Sequence, residues 1–208
     1  MDAAHPGSAR TKLLDAAIAV VRAQGFAATS VDELCRQAGV TKGAFFHHFP
    51  TKDALAVAAA QHWSKTTGAL FAAACYHAHE DPLDRVLAYV EFRRELLDGA
   101  PAEFSCFAGT TVQERFGPDD DIRAACAASI WGHAETLVPD IDAAMRKHKV
   151  KGMWTAESLA LHTQAVLQGA FILAKAKGDA SIAAESVDHL RRYIEFLFNR
   201  SNHKERSK

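Results

Sequence analysis

Long apolar runs are missing: nowhere in the 208-residue chain do the roughly eighteen uninterrupted apolar residues of a membrane-crossing helix occur. The opening MDAAHPGSAR has neither the basic start nor the apolar stretch of a signal peptide. The expectation is a soluble, cytoplasmic chain with no membrane partner. Cysteine is sparse, and Cys35, Cys75, Cys106 and Cys126 show no CxxC spacing, which argues for reduced thiols and against structural zinc. An excess of one charge is also lacking, with 24 Lys and Arg against 25 Asp and Glu. Any contact with nucleic acid must therefore come from a local patch. No HExxH, GxSxG, Walker or GxGxxG pattern occurs, and no Ser, His and Asp spacing singles out a nucleophile. His77, His79, Glu80 and Asp81 do not make a metal site on a helix, because residues two apart do not face together. No enzyme activity, cofactor or metal is expected.

Also absent is the polar–apolar alternation of strands; Gly and Pro fall between periodic segments, and the chain reads as all-α. A first helix over about residues 9–24 places Leu14, Ala17, Ile18 and Val21 on one stripe, and Gly25 stops it. Ser30-Val-Asp-Glu33 is a capping box that starts a short second helix with Val31, Leu34, Cys35 and Ala38 on its inner face. Ala38-Gly39-Val40 breaks it, Thr41 caps a third short helix that ends before Pro50, and Thr51 caps a long fourth over about residues 52–77. Breaks near Pro82, Gly99-Ala-Pro101, Gly117-Pro118, Gly152 and Gly178 divide the remainder into five helical segments. Pro139 should kink or split the one that follows Pro118, which opens with Asp119, Asp120 and Asp121. The charged tail 202–208 is expected to fray.

Two short helices joined by a Gly-containing turn and packed on a preceding helix have the layout of a helix-turn-helix, whose second helix enters a major groove. Small Gly43 and Ala44 allow close approach, and Thr41, Lys42, His47 and His48 offer donors. Within residues 1–55, Arg10, Lys12, Arg22, Arg36, Lys42 and Lys52 oppose Asp2, Asp15, Asp32, Glu33 and Asp53, a net charge of only +1. The electrostatic footprint of one protomer is weak.

The segment GFAATSVDELCRQAGVTKGAFFHHFPTKDAL, residues 25–55, resembles the DNA-binding signature of TetR-family transcriptional repressors. The Gly-aromatic turn, the Thr-Ser before the second helix, the Ala-Gly-Val turn, the Lys-Gly start of the recognition helix and the aromatic-His-His-Phe ending carry the likeness. By that resemblance Thr29 and Ser30 contact phosphates, Thr41, Lys42, Gly43, Ala44 and Phe45 face the groove, Lys52 clamps a phosphate, and His47 and His48 touch the DNA backbone. Phe46 stands where the family often has a Tyr, so one phosphate hydrogen bond is lost. Phe49 is expected in the core and Phe45 at the surface, with Phe46 open between the two. The implied architecture is a helix-turn-helix domain at 8–50 and a larger ligand-binding and dimerisation bundle at 51–201, about nine helices in all. Its partners are palindromic double-stranded operator DNA, a second copy of the chain and a small-molecule effector.

The last two segments carry Leu159, Val166, Gly169 and Ala170, then Leu190, Ile194 and Leu197, which could form a four-helix dimer interface or an intramolecular hairpin. Aromatic residues exceed what a Leu/Ala bundle needs, so a pocket is expected among Trp63, Phe71, Tyr89, Phe92, Phe107 and Trp131, with His133 and His162 as polar anchors. A hydrophobic or aromatic effector held there would fix the long fourth helix and shift the reading heads out of register. Cys106, in Phe-Ser-Cys-Phe-Ala-Gly at the start of a helix, is a pocket candidate and offers an alternative trigger, a thiol that senses electrophiles or oxidants. A third reading is an all-helical small-molecule binder that does not touch DNA.

Overall fold

The computed structural model describes residues 7–118 and 120–200, so the expectations for Asp119 and for the tail 202–208 fall outside the described residues. Among the described residues every regular element is helical. They are α1 (Ala9–Gln24), α2 (Val31–Ala38), α3 (Lys42–His48), α4 (Lys52–Ala72), a 3-10 turn (Cys75–Ala78), α5 (Pro82–Glu95), α6 (Pro101–Phe104), α7 (Phe107–Val112), α8 (Asp121–Glu135), α9 (Val138–Lys147), α10 (Ala156–Lys177) and α11 (Ser181–Leu197). The number exceeds nine because the segment after Pro101 forms two short helices and the one after Pro118 divides before Pro139, which sits in the first turn of α9. The fourth helix stops at Ala72 instead of continuing to residue 77; the chain there tightens into the 3-10 turn.

The described residues form two compact units, one within 7–71 and 105–130, the other within 72–104 and 131–200. In the first, α1 packs on α2, α3 and α7. Its core takes Leu14, Ala17, Ile18 and Val21 from α1, Leu34, Cys35 and Ala38 from α2, Phe45 and Phe49 from the end of the head, Leu55 and Ala59 from α4, and Phe107 from α7. The α1 stripe is therefore buried as its spacing requires, and at about 25 cal/mol per Å² this burial is what holds such short helices together. In the second unit α5, α9, α10 and α11 pack against one another.

In the α10–α11 pair Leu159, Ala170, Leu190 and Ile194 are buried within the protomer, as in the intramolecular hairpin expected as the alternative to a dimer interface. Val166, Gly169 and Leu197 are half-buried. Each helix carries two apolar stripes, and Leu161, Ile172 and Leu173 on α10 with Tyr193 and Phe196 on α11 are the large apolar residues left exposed. Periodicity identifies both stripes but does not say which one faces the partner helix of the same chain.

Candidate nucleic-acid interface

Local chemistry shapes the α2–α3 turn. Gly39, at φ +64° and ψ 38°, closes α2 with its N–H on the Arg36 carbonyl at 3.2 Å while Val40 N–H reaches the Cys35 carbonyl at 3.0 Å. That left-handed conformation favours glycine, and it turns the chain directly into α3. Thr41 Oγ1 accepts from Ala44 N–H at 3.1 Å and so starts α3. Ser30 caps α2 in the same way, accepting from Glu33 N–H at 3.2 Å, and the Glu33 carboxylate is engaged by Gln24 Nε2 at 2.7 Å.

On α3 the exposed face comprises Thr41, Lys42, Gly43, Phe46 and His47, with Ala44 and His48 half-buried at its edges. Phe45, expected at the groove, is 0% exposed and sits in the core beside Phe49, whereas Phe46 is 54% exposed. The reason is helical periodicity: Phe45 and Phe49 are four apart and share a face, and Phe46 is rotated about 100° away. Lys42 Nζ ion-pairs with Asp32 Oδ1 at 2.6 Å, both side chains well exposed. That bond raises the Lys42 pKa, so the group stays a cation and can exchange its carboxylate for another anion at little cost.

Two assigned phosphate contacts are engaged elsewhere. Thr29 is 2% exposed, and its Oγ1 donates to the Gly25 carbonyl at 2.7 Å, folding the α1–α2 loop on itself. Lys52 Nζ donates to the Phe26 and Thr29 carbonyls at 3.0 and 2.9 Å and lies over the Phe26 ring. Its charge therefore serves the loop, while Ser30 stays exposed at the start of α2. Sequence reasoning missed the loop's other anchors, Glu114 and Arg115: Glu114 accepts from Phe26 and Ala27 N–H at 3.0 and 2.6 Å. With Glu114 and Phe26 lying 88 positions apart, no local pattern signals the contact.

The effector candidates are divided between the two units. Trp63, beneath the Arg22 guanidinium, and Phe107 belong to the core of the first unit, Phe71 is buried near the end of α4, and half-buried Cys106 caps α7, its Sγ accepting from Gly109 N–H at 3.3 Å. Trp131 is exposed, and His162 stacks edge-on against exposed Tyr193. Tyr89, Phe92 and His133 cluster. In the second unit the Tyr89 hydroxyl meets His133 Nε2 at 2.9 Å and accepts from Gln164 Nε2 at 3.3 Å, with Tyr76 packed against both Tyr89 and Phe92. Burial, and secondarily the nearby Arg93 cation, lowers the His133 pKa to about 4, and burial pushes Tyr76 up to about 12.

Residues 13–59 match the family model described as bacterial regulatory proteins, tetR family. The HTH-type transcriptional regulator LmrA of Bacillus subtilis (strain 168) is 30% identical over 128 residues, 58% of this chain and 64% of LmrA. The chain spans less than two thirds of the length of the curated relatives it matches. A TetR-family transcriptional regulator from Agrobacterium tumefaciens shares the fold with a TM-score of 0.78 at 19% identity, covering 91% of this chain and 98% of the other. The reduced form of E. coli NemR does so at a TM-score of 0.75 and 21% identity, over 88% and 95% of the two chains.

Proposed function

Since the chain belongs to the TetR family of transcriptional regulators, we propose that it is a repressor that binds palindromic operator DNA as a homodimer and leaves it when a small hydrophobic or aromatic effector binds. The exposed face of α3 carries this reading: Thr41, Lys42, Phe46 and His47 stand outward on a helix that Phe45 anchors from within. Gly43 and Ala44 let the backbone approach a groove, hydroxyl and ring nitrogens offer hydrogen bonds to base edges or phosphates, and Lys42 supplies charge. In this assignment residues 8–50 read DNA, and 51–201 bind the effector and dimerise. Two copies joined through the exposed stripes of α10 and α11 would carry two reading helices to half-sites about 34–36 Å apart. Tyr89, His133 and Gln164 among aromatic neighbours suit an apolar ligand held by a few polar groups.

Titrating duplex DNA at several salt concentrations tests the interface. Lys42→Ala should weaken binding and make the slope of log K against log salt shallower by about one. Lys52→Ala should weaken binding with the slope kept, because its ammonium bonds loop carbonyls. An unchanged Lys42→Ala would remove α3 from the interface, and salt-independent or absent DNA affinity would favour a small-molecule binder without DNA. A thiol trigger is the second reading, favoured by Cys106 being half-buried with Gly109 N–H directed at its sulfur. If an electrophile still releases Cys106→Ser from DNA, that trigger is wrong.

A further inference from the structure

The loop between α1 and α2 is held through its own backbone from two directions in sequence. Lys52, in the first turn of α4, takes the carbonyls of Phe26 and Thr29. Glu114, just after α7, takes the amides of Phe26 and Ala27, one on each carboxylate oxygen. Its neighbour Arg115 lies over the Phe26 ring at 5.3 Å, as Lys52 Nζ does at 4.2 Å. The same guanidinium grips Asp53 of α4 through two bonds of 3.0 Å and Asp120, ahead of α8, through one of 2.8 Å. Gly25 completes the arrangement. Its φ of +88° turns the loop, and a Cβ there would collide with Glu114 Oε1.

This loop ends at Ser30, the N-cap of α2, and α2 in turn carries Asp32, the partner of Lys42 on the reading helix. We propose that Glu114 and Arg115 are positioning residues for operator binding: they fix the α1–α2 loop, and with it the placement of α2 and α3, without touching DNA themselves. The proposal rests on the DNA-binding reading above. It gives an acidic residue the task of strengthening DNA binding, opposite in sign to its direct electrostatic effect. Removing a carboxylate from a DNA-binding unit relieves repulsion from phosphates, and on charge alone should tighten the complex and alter its salt dependence. Losing the grip on two backbone amides should loosen it.

The variant is Glu114→Gln, which keeps the shape and replaces one acceptor oxygen by an NH2 group. Operator affinity should fall about tenfold, the worth of one charge-assisted hydrogen bond, with the salt slope of the wild type. Hydrogen exchange at the Phe26 and Ala27 amides should accelerate while helicity is retained. Affinity unchanged or increased, with those amides exchanging faster, overturns the proposal. Arg115→Lys keeps the charge but cannot fork between Asp53 and Asp120, and is read by the same criteria should Glu114→Gln fold poorly. Its binding should weaken several-fold, and wild-type affinity would overturn the role given to Arg115. A wild type that binds no duplex overturns the DNA reading and this proposal with it, whereas a binding wild type with an equally tight Glu114→Gln overturns the positioning role alone.

Discussion

Phe45 and Phe46 are adjacent, identical in chemistry and opposite in task, one filling the core of the reading head and the other standing on its surface. Phe45→Ala should cost about 3–5 kcal/mol and melt the head, as measured by urea denaturation. Phe46→Ala should change stability by no more than about 0.5 kcal/mol and still weaken DNA binding. Equal losses of stability in the two would contradict the orientation of α3. The α1 stripe and the caps at Ser30 and Thr41 were legible in the sequence, because spacing and side-chain type alone determine them. Thr29 and Lys52 were not, because their partners are main-chain carbonyls brought near by the α1–α2 loop, and backbone groups leave no mark in an amino-acid pattern.

Among the elements, helix starts were easier to read than helix ends. Proline and capping residues announce α5, α9 and α10, whereas α4 ends at Ala72 with no proline or glycine before the 3-10 turn. Charge at helix ends also does structural work. Burial opposes the ionisation of Asp81, yet the His148 ring, the Leu83 amide and Lys147 hold its carboxyl well below the usual range. Between α5, α8 and α10 the Tyr89–His133–Gln164 cluster makes stability depend on pH. His133 is neutral when folded, its pKa lowered from 6.5 to about 4, so between those values the unfolded chain binds more protons. Stability should be full above pH ~6.5 and fall by about 3 kcal/mol as the pH drops toward ~4. In urea melts across that range His133→Gln should flatten the fall; an equally steep profile would remove His133 as its cause.

For the whole molecule, the proposed homodimer would assemble through the apolar residues that α10 and α11 leave exposed. Phe196 is 69% exposed, so Phe196→Glu should preserve helicity and yield a monomer in sedimentation velocity, whereas Leu190→Ala should lower thermal stability. A dimeric Phe196→Glu would place the interface elsewhere. The all-α class and the helix-turn-helix were legible because they rest on local spacing; the stripe that α10 and α11 leave exposed and the grouping of Tyr89 with His133 and Gln164 were not, since both depend on which of several similar apolar faces the chain turns inward. In the proposed function the chain reads a symmetric DNA sequence. Selection of bound fragments from random-sequence duplexes by the purified protein at defined salt tests it most directly. Enrichment of an inverted repeat with half-sites about one helical turn or a multiple apart is expected, and its loss in Lys42→Ala. A pool that stays random before and after the protein is refolded to remove any bound ligand would contradict it.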